Sequence, residues 1–278
     1  MNVAVFTSLL FFTSVLAGLL GALTGLGGGV VIVPVLTLVF GVDIRFAMGA
    51  SLVSVIATSS GAAVAYVREG LSNIRIGMFL EIATTVGAIF GAYLVARIST
   101  HWIAGIFGIV LLYSAFASLS KHKETPEQTP ANPLATRLKL VGSYAGPEGE
   151  TAYCAERVPL GFGLMFGAGT LSGLLGIGSG AVKVLAMDQA MKLPFKVSTT
   201  TSNFMIGVTA AASAGIYMAR GYVDPGIAMP VMLGVLSGAM AGTHILVKAR
   251  VSTLKILFAL VIAMMGCEMI YNGIAGRI

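Results

Sequence analysis

Two glycine-rich stretches interrupt apolar segments of this chain and have the composition of an anion-binding backbone. They lie within TGLGGGVVIVPVL and LLGIGSGAVKV and centre on Gly27, Gly28 and Gly29 and on Gly178, Ser179 and Gly180. Consecutive N–H groups at the start of a helix carry partial positive charge and can cradle an anion. Small residues also serve close helix packing in membranes. Packing needs neither three adjacent glycines nor a proline shortly after them, so the sequence favours a ligand role.

Lys183 is the charge that stands out in the second stretch. It follows Gly180 by three residues in a short apolar segment, where the first stretch has Ile32 at the matching position. A lysine in a membrane interior costs several kcal/mol unless it faces water or a counter-ion. It could therefore supply the positive charge for a bound anion. Alternatively, its ammonium could reach the interface or pair with Asp188.

Hydroxyl and amide groups cluster just beyond this region, in the run VSTTTSNF at 197–204. Their O–H and N–H groups could bind an oxyanion. The candidate ligands are therefore Thr200, Thr201, Ser202 and Asn203. The alternative is structural, with Ser198 capping a helix and the other hydroxyls bonding to carbonyls one turn back. In the first half the matching segment offers Ser51 as a candidate.

Glu81 is an acidic residue within a long apolar segment. A titrating group inside the membrane is a functional candidate by default, so Glu81 is a candidate for proton coupling. His244 has the same potential, but its place near a segment end favours an interfacial position. An interfacial position is also open for Glu81.

The elements that must position these residues are membrane helices. Hydrophobic residues make up 56% of the 278 residues and charged residues 10%. Apolar runs long enough to cross a hydrocarbon core recur along the chain and lack the alternation of a membrane barrel. We predict an all-α polytopic membrane protein with long helices at 3–24, 46–67, 74–96, 101–120, 158–175, 197–218, 225–247 and 252–273. Short apolar pieces follow the glycine stretches at 30–42 and 181–191.

The chain divides into two related halves, an N-terminal repeat at 1–120 and a C-terminal repeat at 158–278. Gly25, Gly27 and Gly29 overlay on Gly176, Gly178 and Gly180 when the halves are aligned. Isolated glycines that also fit this overlay are assigned to packing: Gly87, Gly91, Gly238 and Gly242. The intervening segment, 121–157, is a polar linker whose second part could form a small hairpin.

Charge distribution favours halves of opposite orientation. Suppose that each half crosses the membrane five times, with the short piece counted as one crossing. Most lysines and arginines then fall on one side of the membrane, and the other side has Arg45, Arg97, Arg220 and Arg277. Four crossings give no such bias. The positive-inside rule therefore favours inverted repeats, each with four long helices and a short broken helix.

Several classes of function find no support in the sequence. The usual hydrolase, redox and nucleotide-binding motifs are missing, and three scattered histidines make a poor metal site. We therefore expect no enzymatic activity, no cofactor, no metal and no nucleic-acid partner. Without a nucleotide-binding motif, any movement of a solute across the membrane must be driven by an ion gradient or by the gradient of the solute itself.

The paired motifs GALTGLGGGVVIVPVL and GLLGIGSGAVKVLAM resemble those of the TauE/SafE family of membrane anion permeases. The second motif departs from the first at Ser179 and at Leu185, which matches Pro34. The resemblance implies a multi-pass transporter of the cytoplasmic membrane that moves a small anion such as sulfite or an organosulfonate. An anion channel and a transporter of another small organic acid are the alternatives. The expected partners are the anionic substrate and the lipid bilayer, and a homodimer is left open.

Overall fold

The computed structural model describes residues 2–24, 28–68, 72–119, 133–146, 149–246 and 251–276. Gly27 and the first part of the linker lie outside these residues. The first half contains α1 (Val3–Thr24), α2 (Gly29–Pro34), α3 (Ile44–Arg68), α4 (Ile74–Leu94) and α5 (Thr100–Leu119). The second half contains α7 (Val158–Leu175), α8 (Gly180–Leu185), α9 (Phe195–Ala219), α10 (Pro225–Leu246) and α11 (Val251–Ile274).

Both short helices continue into one wide turn of π-helix, Val35–Val39 after α2 and Ala186–Ala190 after α8. Pro34 precedes the first of these turns, and a proline removes a backbone donor from a helix. The second turn follows Leu185, which keeps its donor. Because both halves form the π-helical turn, the proline is not its only cause.

Between the halves, the structure has a short helix α6 (Pro133–Arg137) and two antiparallel strands, β1 (Val141–Gly146) and β2 (Gly149–Cys154). Apolar residues of this segment are buried with those of the helices around α4 and α7. Tyr153 accepts a hydrogen bond from the side chain of Asn73, which also caps α4. This hydrogen bond connects the hairpin to the start of α4.

Two pairs of equivalent helices, α3 with α9 and α5 with α11, lie beside each other and run in opposite directions. Gly49 of α3 lies against the backbone of Tyr222, just beyond the end of α9, while Ser59 of α3 lies against Gly207 of α9. The contacts of α5 with α11 follow the same order, with His101 beside Gly273 and Gly108 beside Gly266. In both pairs, the start of one helix meets the end of its equivalent.

Two further pairs join the halves in parallel. Helix α4 lies along α7, with Thr84 beside Gly169 and Ala88 beside Gly173. Helix α1 lies along α10, with Phe11 beside Gly234 and Val15 beside Gly238. At each of these glycines a Cβ atom would collide with the backbone of the partner helix. Close backbone approach is therefore what glycine provides here, as predicted for Gly238. Gly87 and Gly91, predicted in the same way, lie against the backbone of α7.

The surface and length of the helices fit a lipid environment. Four described helical stretches are long and apolar enough to cross a membrane: Val3–Gly21, Ile74–Leu94, Thr100–Ala117 and Val158–Leu175. Shorter apolar stretches occur in α2 with its π-helical turn, α3, α10 and α11. Large apolar side chains are exposed, including Phe12, Trp102 and Phe116. Such surfaces are stable in lipid and unfavourable in water.

Candidate functional site

The glycine stretches are true breaks between helices, and each turns the chain back on itself. After the first break, Gly28 lies near Gly18 of α1, and the ring of Phe40 meets that of Phe6 with centroids 5.8 Å apart. The short segment that contains α2 therefore runs back along α1 toward its start. Helix α3 consequently begins at the same end of the molecule as α1.

The second break has the same arrangement. The Ser179 hydroxyl donates to the carbonyl of Ala168 on α7 at 2.7 Å. At the far end of the short segment, the N–H of Glu156 donates to the carbonyl of Met191. Helix α8 and its π-helical turn therefore run back along α7.

Left-handed backbone shapes the second break. Gly176, Gly178 and Ser179 have φ values of +67°, +73° and +46°. Glycine adopts this conformation freely, whereas a residue with a side chain does so at a cost. The hydrogen bond to Ala168 holds Ser179 in this conformation. Ser179 is also the residue that replaces the middle glycine of the first stretch. Gly28, its counterpart, has an ordinary helical φ of −63°.

The two breaks meet at the centre of the molecule. Gly29, at the start of α2, lies against the side chain of Ser51 and close to the backbone of Ile177 in the second break. The Ser51 hydroxyl donates to the carbonyl of Gly176 at 2.7 Å. Ser51 thus bridges the first half to the break of the second half.

A charged cluster lies beside the second break. Lys183 is 0% exposed, and its ammonium donates to the hydroxyl of Thr209 on α9 at 2.5 Å. The same hydroxyl donates to a carboxylate oxygen of Glu81 on α4 at 2.6 Å. Glu81 is 4% exposed. Lys183 and Glu81 are therefore linked through one threonine, and both are withdrawn from the surface.

Two further hydroxyls hold the Glu81 carboxylate. Thr84 donates to one oxygen at 2.9 Å, and Thr85 donates to the other at 3.1 Å. Together with Thr209, they give the carboxylate three hydroxyl donors in an apolar setting. Hydrogen bonds and an opposite charge are what a buried ionised group requires. The cluster in this structure thus has the composition of a compensated ion pair.

Most of the predicted hydroxyl ligands bond to the protein in this structure. Ser202 donates to the carbonyl of Gly180 at 3.2 Å, beside the second break. Thr200 donates to the carbonyl of Val197, one turn back, and Thr201 accepts the N–H of Asn73. Asn203 is half-buried on the same helix. An anion could recruit the hydroxyls of Thr200 and Ser202 only by taking the place of a carbonyl.

Sequence reasoning missed the residues that connect the charges. Thr84 and Thr85 follow Glu81 by three and four residues, which is the spacing of neighbours on a helix, so a local signal was available. Thr209 lies in the span of α9 and had no local signal. Ser172 was also missed: its hydroxyl is buried one turn from Ala168 and finds no hydrogen-bond partner within the described residues.

The residues around both breaks are tightly packed. Gly178 and Gly180 lie against Ile206 of α9, and Gly28 lies against Val235 of α10. One apolar groove within the described residues lies elsewhere, between α1 and α10. Among the described residues, no three His, Cys, Asp or Glu side chains are grouped as metal ligands. A solute could reach the described glycines of the breaks, which do not include 25–27, only if the surrounding helices moved apart.

Comparison with known proteins adds a family assignment to this geometry. The family described as sulfite exporter TauE/SafE matches residues 10–269. The probable membrane transporter protein YunE of Bacillus subtilis is 28% identical over 274 residues, covering 96% of this chain and 98% of that protein. YdhB of the same organism, also a probable membrane transporter protein, is 28% identical over 84% of this chain and 86% of its own length.

An archaeal relative is similar over a comparable length. The probable membrane transporter protein MJ0441 of Methanocaldococcus jannaschii is 26% identical, covering 94% of each chain. No solved structure matches the chain. The relatives and the apolar helices together make this a multi-pass membrane protein of a transporter family.

Proposed function

Because this chain belongs to the TauE/SafE sulfite exporter family, we propose that it is a secondary transporter that moves a small anion across the cytoplasmic membrane. The proposed substrate class is a sulfur oxyanion or organosulfonate of the sulfite kind. The observation that carries this proposal is the fully buried ammonium of Lys183, three residues beyond Gly180 in the second break. A buried cation beside an interrupted helix is a suitable partner for an oxyanion.

The proposed binding site lies where the two breaks meet. Lys183 would neutralise the charge of the anion, and the hydroxyls of Ser172 and Ser179 would supply further donors. From the first half, the backbone of Gly28 and Gly29 would face the anion. Gly27 and the hydroxyl-bearing run of α9 belong to the same proposal.

We also propose that the halves are inverted repeats and that transport proceeds by alternating access. The antiparallel packing of α3 with α9 and of α5 with α11 supports this, because equivalent helices of inverted repeats must point in opposite directions. The return of each short segment along α1 and α7 supports five crossings in each half. Tight packing around the breaks favours a carrier over an open channel, since helices must move before a solute can enter.

The orientation of the halves can be tested by labelling. Single cysteines replacing the exposed residues Asp43 and Lys192, in a chain without Cys154 and Cys267, would be probed with an impermeant maleimide in intact cells and in inverted vesicles. We expect the two positions to react from opposite sides, because each follows the short segment of its half and the halves are proposed to be inverted. With four crossings in each half, both positions would lie on the same side. Reaction of both from the same side would contradict five crossings in each half.

Flux in liposomes tests the transport proposal itself. The purified protein would be reconstituted and loaded with unlabelled sulfite, sulfate, thiosulfate, taurine, sulfoacetate or acetate, and uptake of the labelled anion would be followed. A carrier shows saturable uptake that is accelerated by unlabelled anion on the far side. A channel shows no accelerated exchange, and an absence of flux for every anion would contradict a transport function for this panel.

A further inference from the structure

The cluster of Lys183, Thr209 and Glu81 already contains an anion, which is the carboxylate of Glu81. Glu81 already occupies the position of counter-ion to Lys183 through the Thr209 hydroxyl. We propose that the substrate anion replaces Glu81 as the partner of Lys183 and that Glu81 takes up one proton as this happens. This inference rests on the proposed anion transport and specifies how it is coupled.

Charge balance is the first argument. The ammonium and the carboxylate sum to zero in this structure, and the threonine hydroxyls add no charge. A monovalent anion arriving alone would leave one uncompensated negative charge among buried groups, which is strongly unfavourable. One proton on Glu81 restores neutrality. The buried pair therefore predicts one proton for each monovalent anion carried.

The hydrogen bonds of Thr209 provide the second argument. Its hydroxyl has two acceptors within reach, Glu81 at 2.6 Å and the carbonyl of Met205 at 2.9 Å, but only one hydrogen to donate. When Glu81 is ionised, the hydrogen points to the carboxylate. When Glu81 carries the proton, it becomes a donor itself, and the Thr209 hydrogen can turn to Met205. Thr209 is thus a positioning residue that can serve both protonation states.

The neighbours of Glu81 have the same capacity. Thr84 can donate either to the carboxylate or to the carbonyl of Glu81 itself, at 3.1 Å. Thr84 and Thr209 therefore each keep an acceptor when the carboxylate becomes protonated. Because unsatisfied buried donors are costly, this arrangement lowers the barrier to a change of charge at Glu81.

The surrounding elements offer few other titrating groups. On α4, Arg75 is exposed. Asp188 lies half-buried in the turn after α8 and has interactions of its own. Arg157 precedes α7, and Arg220 follows α9, where it donates to the end of α4 at Ala92. Glu81 is the carboxylate that shares the Thr209 hydroxyl with Lys183.

Proton movement in the unmodified protein is the primary test. Liposomes containing the protein and a trapped pH indicator would receive methanesulfonate, whose single charge is fixed across the working pH range, and each anion of the panel above. We expect the lumen to acidify as the anion enters, with one proton for each methanesulfonate, and flux that is insensitive to a potassium diffusion potential. Saturable anion flux without proton movement would overturn the inference while leaving the transport proposal intact. No flux with any anion would overturn both.

Glu81→Gln separates exchange from coupling. The amide imitates the protonated side chain, so this variant should retain exchange of anion for anion and lose accumulation driven by an inward proton gradient. Ser237→Ala is the matched control, because it removes an exposed hydroxyl on α10 that bonds one turn back. A gradient response in Glu81→Gln equal to that of the control would contradict the role of Glu81. The wild-type proton measurement decides the question if this variant fails to fold.

Discussion

The Thr209 hydroxyl on α9 lies 2.6 Å from a carboxylate oxygen of Glu81 on α4, although 128 residues separate them in the chain. The contact joins the two halves at a buried point beside the second helix break. It also joins two charged residues whose sequence contexts gave no indication of a shared site. The cluster accounts for how an ammonium and a carboxylate persist in an apolar interior.

Replacing Lys183 by Met should remove anion binding and destabilise the protein. The single change leaves Glu81 as an uncompensated buried charge, which costs about 3–5 kcal/mol. The double variant Lys183→Met with Glu81→Gln should recover much of that stability without recovering transport. Denaturation in detergent and liposome flux measure the two effects. Unchanged affinity for sulfite in Lys183→Met would remove this lysine from the site.

Replacing Thr209 by Val should disconnect the ion pair while nearly preserving side-chain volume. The loss of a buried hydroxyl shared by two charges should cost on the order of 1–3 kcal/mol. The pH profile of transport should also shift, because the remaining donors to Glu81 change. Thr209→Ser keeps the hydroxyl and should resemble the wild type. Equal pH profiles for the Val and Ser variants would argue against a bridging role.

Glycines at the break and at the helix contacts should respond differently to substitution. Gly28→Val should leave a folded, inserted protein, because its Cβ would meet the movable side chain of Val235. The variant should not transport, because Gly28 belongs to the proposed binding site. Gly173→Ala should impair folding, because its Cβ would meet the backbone carbonyl of Ala88. Gly163→Ala, at a position with open space, is the control for both.

Yield, size-exclusion profile and flux distinguish these outcomes. We expect a normal profile without flux for Gly28→Val, and a reduced yield of monodisperse protein for Gly173→Ala. Full transport by Gly28→Val would show that the first break is not part of the path.

The hairpin between the halves should loosen when Tyr153 loses its hydroxyl. Tyr153→Phe removes the bond from Asn73, worth about 0.5–1.5 kcal/mol, while Asn73 can still cap α4. Hydrogen exchange at 149–154 should accelerate relative to the same segment of the wild type. Unchanged exchange would mean that apolar packing alone holds the hairpin.

The same contact should depend on pH in the alkaline range. Burial raises the pKa of Tyr153 above its usual value, and the hydrogen bond from Asn73 opposes this in part. A group whose folded pKa is raised stabilises the fold below its unfolded pKa and loses that contribution as pH rises through the folded pKa. Hairpin protection should therefore fall above the usual tyrosine range in the wild type. Tyr153→Phe should lack this additional loss.

Local sequence determined the helices and the breaks. Apolar runs predicted positions close to those of the eight long helices, since a stretch that must satisfy its backbone in lipid has little alternative to a helix. Glycine clusters marked both interruptions, and isolated glycines such as Gly87 marked close contacts between helices. These features depend on residues that are near one another in the chain, which is why composition and spacing reveal them.

Only the tertiary structure decided which residues meet. Lys183 and Glu81 were predicted as separate candidates, one for substrate and one for protons, and Thr209 was not predicted at all. The long-range packing of α4, α8 and α9 brings them together, and helix packing depends on the shapes of whole surfaces. The same packing gives the hydroxyls of Ser51 and Ser202 carbonyl partners in the breaks. Sequence supplied the charged and polar groups, and the contacts between distant helices determined their partners.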